Sequence, residues 1–298
     1  MANLYTHQDS NTRKTWLLMS VFFIFIIFIG WSASWYFQDS IILYVAVGFS
    51  IFMNIFSYWF SDKIVLKMAG AHPATKEKYY DLYTIVENLS ITAGLPMPKV
   101  YVMDDPIPNA FATGRDKDHA VVAFTTGILK VLNKTELEGV VAHELSHIGN
   151  KDILLQTVIV VLVGFVTLIS DFFFRMSFYG GNNDNREGKS GAIIVLIGIA
   201  FAILSPLVAT VIQLAISRKR EFLADSSGAL LTRYPEGLAS ALEKISQHSG
   251  KMQKANHATA HMYISDPYGG KSKKISFLHK MFLTHPPAEE RIKALRGF

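Results

Sequence analysis

Residues Asn133–Asn150, NKTELEGVVAHELSHIGN, carry at their centre His143-Glu144-Leu145-Ser146-His147, an H-E-x-x-H pattern. Thr135 and Glu138 read as a T-x-x-E capping box and Gly149 as a stop, which predicts one helix. Residues four apart share a helix face, so His143 and His147 project side by side and can bind one zinc ion. Glu144 points to the flank of that pair. There its carboxylate can take a proton from an attacking water and pass it to a leaving amine. The competing interpretation is a surface helix with two solvated histidines, and the remaining sequence decides between them.

Half of the 298 residues are hydrophobic, the mean hydropathy is +0.25 and only 18% are charged, too apolar for an ordinary soluble domain. The absence of cysteine excludes disulfides, a thiol nucleophile and thiolate metal ligands, and fits a reducing compartment. The formal charge of +5 does not point to nucleic acid, because lysine and arginine lie mainly between long apolar runs, as membrane flanks do.

Four such runs, Trp16–Phe37, Ile41–Phe60, Ile153–Ser170 (a span reaching to about residue 174) and Gly191–Ser217, are each long enough to cross the roughly 30 Å of a bilayer core. Arg13, Lys14 and Ser32-Ala33-Ser34 imitate a signal peptide, but the first run reaches the second after a minimal turn, and a retained hairpin is expected. With the N-terminus in the cytoplasm, the turn at Gln38–Ser40 lies outside and holds no lysine or arginine. The loop Ser61–Asp152 then lies inside with ten, the loop Arg175–Ser190 outside with three, and the tail from Arg218 inside with fourteen. The expected organisation is an N-terminal tail and hairpin over residues 1–61, a cytosolic unit over 62–151, a second hairpin over 152–217 and a cytosolic segment over 218–298.

In the cytosolic unit, Pro73–Ala93 has a helical pattern ended by Gly94-Leu95-Pro96. Short strands are expected at Lys99–Met103, Asn109–Thr113 and His119–Phe124. They form a small sheet over the helix, and an edge strand could be joined by a peptide through backbone hydrogen bonds.

The second hairpin returns the chain to the side it left, at Ser217-Arg218-Lys219-Arg220-Glu221-Phe222-Leu223-Ala224-Asp225. Two histidines and an open position leave one protein ligand to find, and His₂Glu is a catalytic set, which points to Glu221. The alternative for that carboxylate is an ion pair with its basic neighbours. Asp225, four residues on, shares its face and is expected to accept the free N–H of a ligating histidine.

These segments, with Thr284-His285-Pro286-Pro287-Ala288-Glu289-Glu290-Arg291-Ile292, resemble the HtpX membrane zinc metalloproteases, bacterial relatives of the type I CAAX prenyl proteases. The resemblance covers nearly the whole chain. It implies an α+β fold: a helical integral membrane protein of four transmembrane helices with a cytosolic zincin-like (gluzincin) catalytic domain. It also implies one Zn2+ per subunit and endopeptidase activity facing the cytoplasm of a bacterial inner membrane. Substrates would be peptides or misfolded and damaged membrane proteins at the lipid bilayer, with no nucleic acid involved. Asn109-Ala110-Phe111-Ala112 resembles the family's substrate-side strand, and His285 and Arg291 match residues near its metal, where cationic or N–H donors can stabilise an oxyanion.

A second pair, His257 and His261, is also four apart but lacks a neighbouring acid, and is read as solvated or as part of a flap. Asp171 is read as a span end. Two other classes remain: an intramembrane-cleaving metalloprotease, disfavoured by the polar start of the motif helix and the absence of an L-D-G, and a non-catalytic zinc-binding scaffold.

Overall fold

The structure is a computed structural model that describes residues 4–179, 218–248, 250–256, 258–269 and 286–297. The fourth expected span, Gly191–Ser217, and His285 therefore lie outside the described residues, as does His257.

Helices α1 (Leu4–Phe37) and α2 (Ser40–Ala69) form a hairpin. Its tight turn uses Gln38 at φ 54, with the Asp39 side chain capping the Ile41 N–H at 2.9 Å. Both helices are long and apolar enough to cross a membrane. Trp16, Phe28, Trp31, Trp35, Phe52 and Trp59 lie exposed on their outer faces, as lipid contact requires.

Past α2, Gly70 at φ 65 caps the helix and turns the chain into β1 (Ala71–Pro73). The expected helix over Pro73–Ala93 therefore starts later, as α3 (Tyr80–Ala93). Strand β1, which takes Pro73 from the expected helix, pairs with β2 (Lys99–Met103), Ala71 opposite Met103 and Pro73 opposite Tyr101. On an edge strand a proline costs no ladder bond if its nitrogen faces outward. The other strands fall within a residue of expectation, β3 at Ala110–Gly114 and β4 at Ala120–Thr125.

The sheet order is β1-β2-β4-β3, with β2 and β4 parallel and β3 antiparallel to β4, so β3 is an edge. Successive residues face opposite sides. Val100, Val102, Ala110, Ala112, Val122 and Phe124 pack on one side with Leu82, Val86, Val141 and Leu145 from α3 and α5 (Lys134–Gly149). Met103, Phe111, Val121 and Ala123 pack on the other side with Val65 and Leu66 of α2 and Leu155 and Ile159 of α6 (Asp152–Tyr179). The sheet is thus buried on both faces, and its second face leads into the membrane bundle, where Val158 and Leu162 of α6 meet Met19 and Phe22 of α1 and Met53 of α2. Between β4 and α5 lies a short helix, α4 (Thr126–Val131).

Beyond α6 the described chain resumes with α7 (Arg218–Thr232), α8 (Pro235–Gln247) and, last, α9 (Ala288–Arg296). Helices α7 and α8 pack on α5, and α9 packs on α8 and α7. Helix α6 covers the third expected span and leaves α5 through a bend of 83°.

Candidate metal centre

The N-cap of α5 is Asn133, two residues before the Thr135 of the T-x-x-E reading. The Asn133 side chain accepts from the Glu136 N–H at 3.0 Å, and Glu136 Oε2 accepts from the Asn133 N–H at 2.8 Å. Asparagine caps at least as well as threonine and has its own glutamate three residues on, so it wins. Thr135 instead donates its hydroxyl to Asn133 Oδ1 at 2.8 Å.

Two glycines let helices close on α5. A Cβ on Gly228 of α7 would stand 3.0 Å from the His143 backbone nitrogen, and one on Gly139 would stand 2.6 Å from the Leu238 nitrogen of α8. With no side chain between them, the first turn of α7 lies directly over the two histidines. Their Nε2 atoms are 3.2 Å apart. Glu221 Oε2 is 3.8 Å from His143 Nε2, and Glu221 Oε1 is 3.7 Å from His147 Nε2. Tetrahedral zinc with bonds of about 2.0–2.1 Å places its ligand atoms roughly 3.3 Å apart. The donor set and spacing of His143, His147 and Glu221, all buried, fit that ion.

Each histidine is held from behind by its own carboxylate. His143 Nδ1 lies 2.9 Å from Asp225 Oδ1, the arrangement expected of Asp225. His147 Nδ1 lies 2.9 Å from Asp152 Oδ2, a partner that the sequence reading missed. Asp152 is the first residue of α6, and in the sequence it looks like an ordinary acid in a first helical turn. The one available signal is its place five residues after His147, just past the bend.

Arg291 of α9 is fully buried and locks Asp225, donating through Nε at 2.8 Å and Nη2 at 2.6 Å. Its Nη1 donates to the Ile264 carbonyl at 3.2 Å and lies 3.8 Å from Glu221 Oε2. It stands beside His143 and Glu221, with its donors committed largely to Asp225.

Glu144 is 1% exposed beside these groups. Burial pushes its carboxyl up to about 7, against the pull of His147, Arg291 and a hydrogen bond from the Ala112 backbone of β3. Burial also lowers His143 to about 4, with Asp225 opposing and Arg291 assisting. At His147 burial acts in the same direction, but the Asp152 hydrogen bond and the Glu221 charge outweigh it and raise the imidazole to about 9.

Beside Glu144, the edge of β3 already carries a segment of the chain itself. The Ile264 N–H donates to the Ala110 carbonyl at 2.9 Å. Asn109 clamps Ser265, accepting from its N–H at 3.2 Å and donating to its carbonyl at 2.9 Å. The Phe111 ring meets Tyr263 edge-on at 5.3 Å, on the sheet face away from α5. Of the two readings of His261, solvation is excluded: it is 3% exposed, with Nε2 3.3 Å from the Gln156 carbonyl of α6.

Two histidines and a glutamate around one point, with a buried carboxyl of raised pKa beside them and an edge strand alongside, define a zinc-dependent metallopeptidase. Comparison with known proteins agrees. Residues 76–298 match the family model described as peptidase family M48. A protease HtpX homolog of Caldanaerobacter subterraneus subsp. tengcongensis is 47% identical, over 99% of this chain and 97% of its own. One of Pyrococcus furiosus is 46% identical over 85% of each chain. The crystal structure of S. mikatae Ste24p shares the fold, with a TM-score of 0.51 at 19% identity, covering 98% of this chain and 67% of that one. The chain belongs to peptidase family M48, among the HtpX membrane zinc metalloproteases.

Proposed function

We propose that this protein is an endopeptidase that cuts extended, cytosol-accessible segments of membrane proteins that have lost their fold. The observation that carries the reading is the joining of the metal centre to the membrane helices. His147 sits one turn from the 83° bend into α6, and the sheet beside Glu144 packs directly on the ends of α2 and α6. A site so close to a bilayer suits polypeptide emerging from it. Four transmembrane helices, a zincin-like catalytic domain and a cytoplasmic orientation in a bacterial inner membrane complete the proposal, supported by the distribution of lysine and arginine. Enclosure of α5 by α3, α7, α8 and β3 favours a site outside the lipid over one within it.

His143, His147 and Glu221 would hold the ion, with Asp225 and Asp152 fixing the imidazoles. When bound, zinc supplies a Lewis acid that polarises the scissile carbonyl and acidifies water. The Glu144 carboxylate takes the proton of the attacking water and returns it to the departing amine, work suited to a group poised near neutrality. The substrate lies along the outer edge of β3 by Ala112, with Asn109, Ala110 and Phe111 holding the Tyr263–Ser265 segment as the wall of the groove. His285 is proposed, on the family resemblance, as an oxyanion donor.

The test is cleavage of casein by purified protein with zinc, compared with Glu144→Gln. The variant is expected to keep zinc and lose at least a thousandfold in rate, whereas Glu221→Ala loses zinc. Brisk cleavage by Glu144→Gln would refute the base assignment.

A further inference from the structure

The two carboxylates behind the metal-binding histidines are themselves held by different ends of the chain. Arg291 holds Asp225. Asp152 is held by the first membrane helix. Asn11 of α1 donates its side-chain amide to Asp152 Oδ1 at 2.6 Å, leaving Oδ2 to face His147 at 2.9 Å. The same amide reaches the Asn150 carbonyl at 3.1 Å, and the Gln8 amide reaches the Gly149 carbonyl at 2.6 Å. These carbonyls belong to the end of α5, where a helix leaves acceptors without partners of its own. Arg220 Nη1 closes the cluster on Asn11 Oδ1 at 3.4 Å, with its Nε 3.9 Å from Asp152 Oδ1. Asn11 is 3% exposed, Asp152 0%, Arg220 5% and His147 5%.

An asparagine buried at the start of an apolar helix costs free energy unless its amide is satisfied, and here it is satisfied at the metal helix. One Asp152 oxygen is engaged by Asn11 and the other by His147, so the amide fixes the rotation of the carboxylate. That rotation in turn fixes the ring orientation and tautomer of His147, with Nδ1–H donating and Nε2 free to face the metal.

We propose that Asn11 is a positioning residue of the metal centre, acting through Asp152 on His147, so that zinc binding depends on the seating of the first membrane helix. The proposal rests on the reading of His143, His147 and Glu221 as a zinc site.

The test uses full-length protein in detergent, stripped of metal and titrated with zinc against a chromophoric chelator, then with cobalt(II) to record its visible ligand-field bands. Asn11→Leu removes the donor at similar size, and Asn11→Ala does so in the form best suited to a helix. Each is expected to weaken zinc about tenfold, the low end for disturbing the partner of a metal-bound histidine. The cobalt bands should shift, and kcat should fall with KM on casein unchanged. In an Asp152→Asn background, Asn11→Ala should cause no further loss, because its route is already cut. Wild-type affinity within twofold with unshifted bands, or full additivity with Asp152→Asn, would overturn the proposal. Failure of the wild-type protein to bind zinc would instead strike at the site assignment itself.

Discussion

At the scale of single residues, the centre gathers ionisable side chains removed from water, several of them in tight pairs. Asp225 shows what this implies for pH. Burial alone would raise its carboxyl, but the Arg291 charge and hydrogen bonds, with His143, bring it down to about 2. A folded pKa below the unfolded value near 3.9 stabilises the fold above about pH 4, and that stabilisation disappears as pH falls through about 2. It is on the order of 2 kcal/mol. In Arg291→Gln the buried carboxylate loses its compensation, so metal-free protein is expected to unfold in acid at a pH at least one unit higher, followed by tryptophan fluorescence. An unchanged midpoint would mean that the pair does not hold Asp225 charged. The grouping of His143, His147 and Glu221 was legible because helix periodicity places His143 beside His147, and a carboxylate returning on the same side completes the set of candidate ligands. Asp152 and Asn11 were not. Their roles come from a bend and a helix packing that bring residues about 140 positions apart into contact, and neither leaves a periodic trace.

Among the elements, the contact of α5 with α7 decides whether a metal site exists. A Cβ added at Gly228 would stand 3.0–3.3 Å from the backbone of Ala142 and His143, and backbone cannot swing aside as a side chain can. Gly228→Leu is therefore expected to push the first turn of α7 outward, carry Glu221 away from the histidines and cut bound zinc at least tenfold by atomic absorption. Gly164→Ala on α6, where a Cβ meets nothing within 4 Å, should leave zinc unchanged. Full zinc occupancy in Gly228→Leu would show that α7 can retreat without losing Glu221. A glycine in Ser226-Ser227-Gly228-Ala229 carries no mark of this duty in the sequence. The strands were readable as short apolar runs between turns, and their edge order was not. Because β4 packs on both sides, Val121 and Ala123 against α6, Val122 and Phe124 against α3 and α5, it lacks the polar alternation that tells an edge from a centre.

For the whole molecule, the centre constrains the path of the chain through the membrane. Asn11, the histidines of α5, Asp152, Glu221, Asp225 and Arg291 meet in one buried cluster, so the segments that carry them share one side of the bilayer. Helices α1 and α2 are each long and apolar enough to cross, and two crossings would put the Gln38–Asp39 turn opposite. The native sequence lacks cysteine, so single introduced cysteines report without background. Cysteines at Lys76 and Lys293, both exposed, are expected to react with an impermeant maleimide only in inverted vesicles, and one at Gln38 only in intact cells. If positions 76 and 293 labelled from opposite sides, α9 could not bring Arg291 to Asp225 in the membrane-embedded protein. The first and last helices would then have no common site to hold.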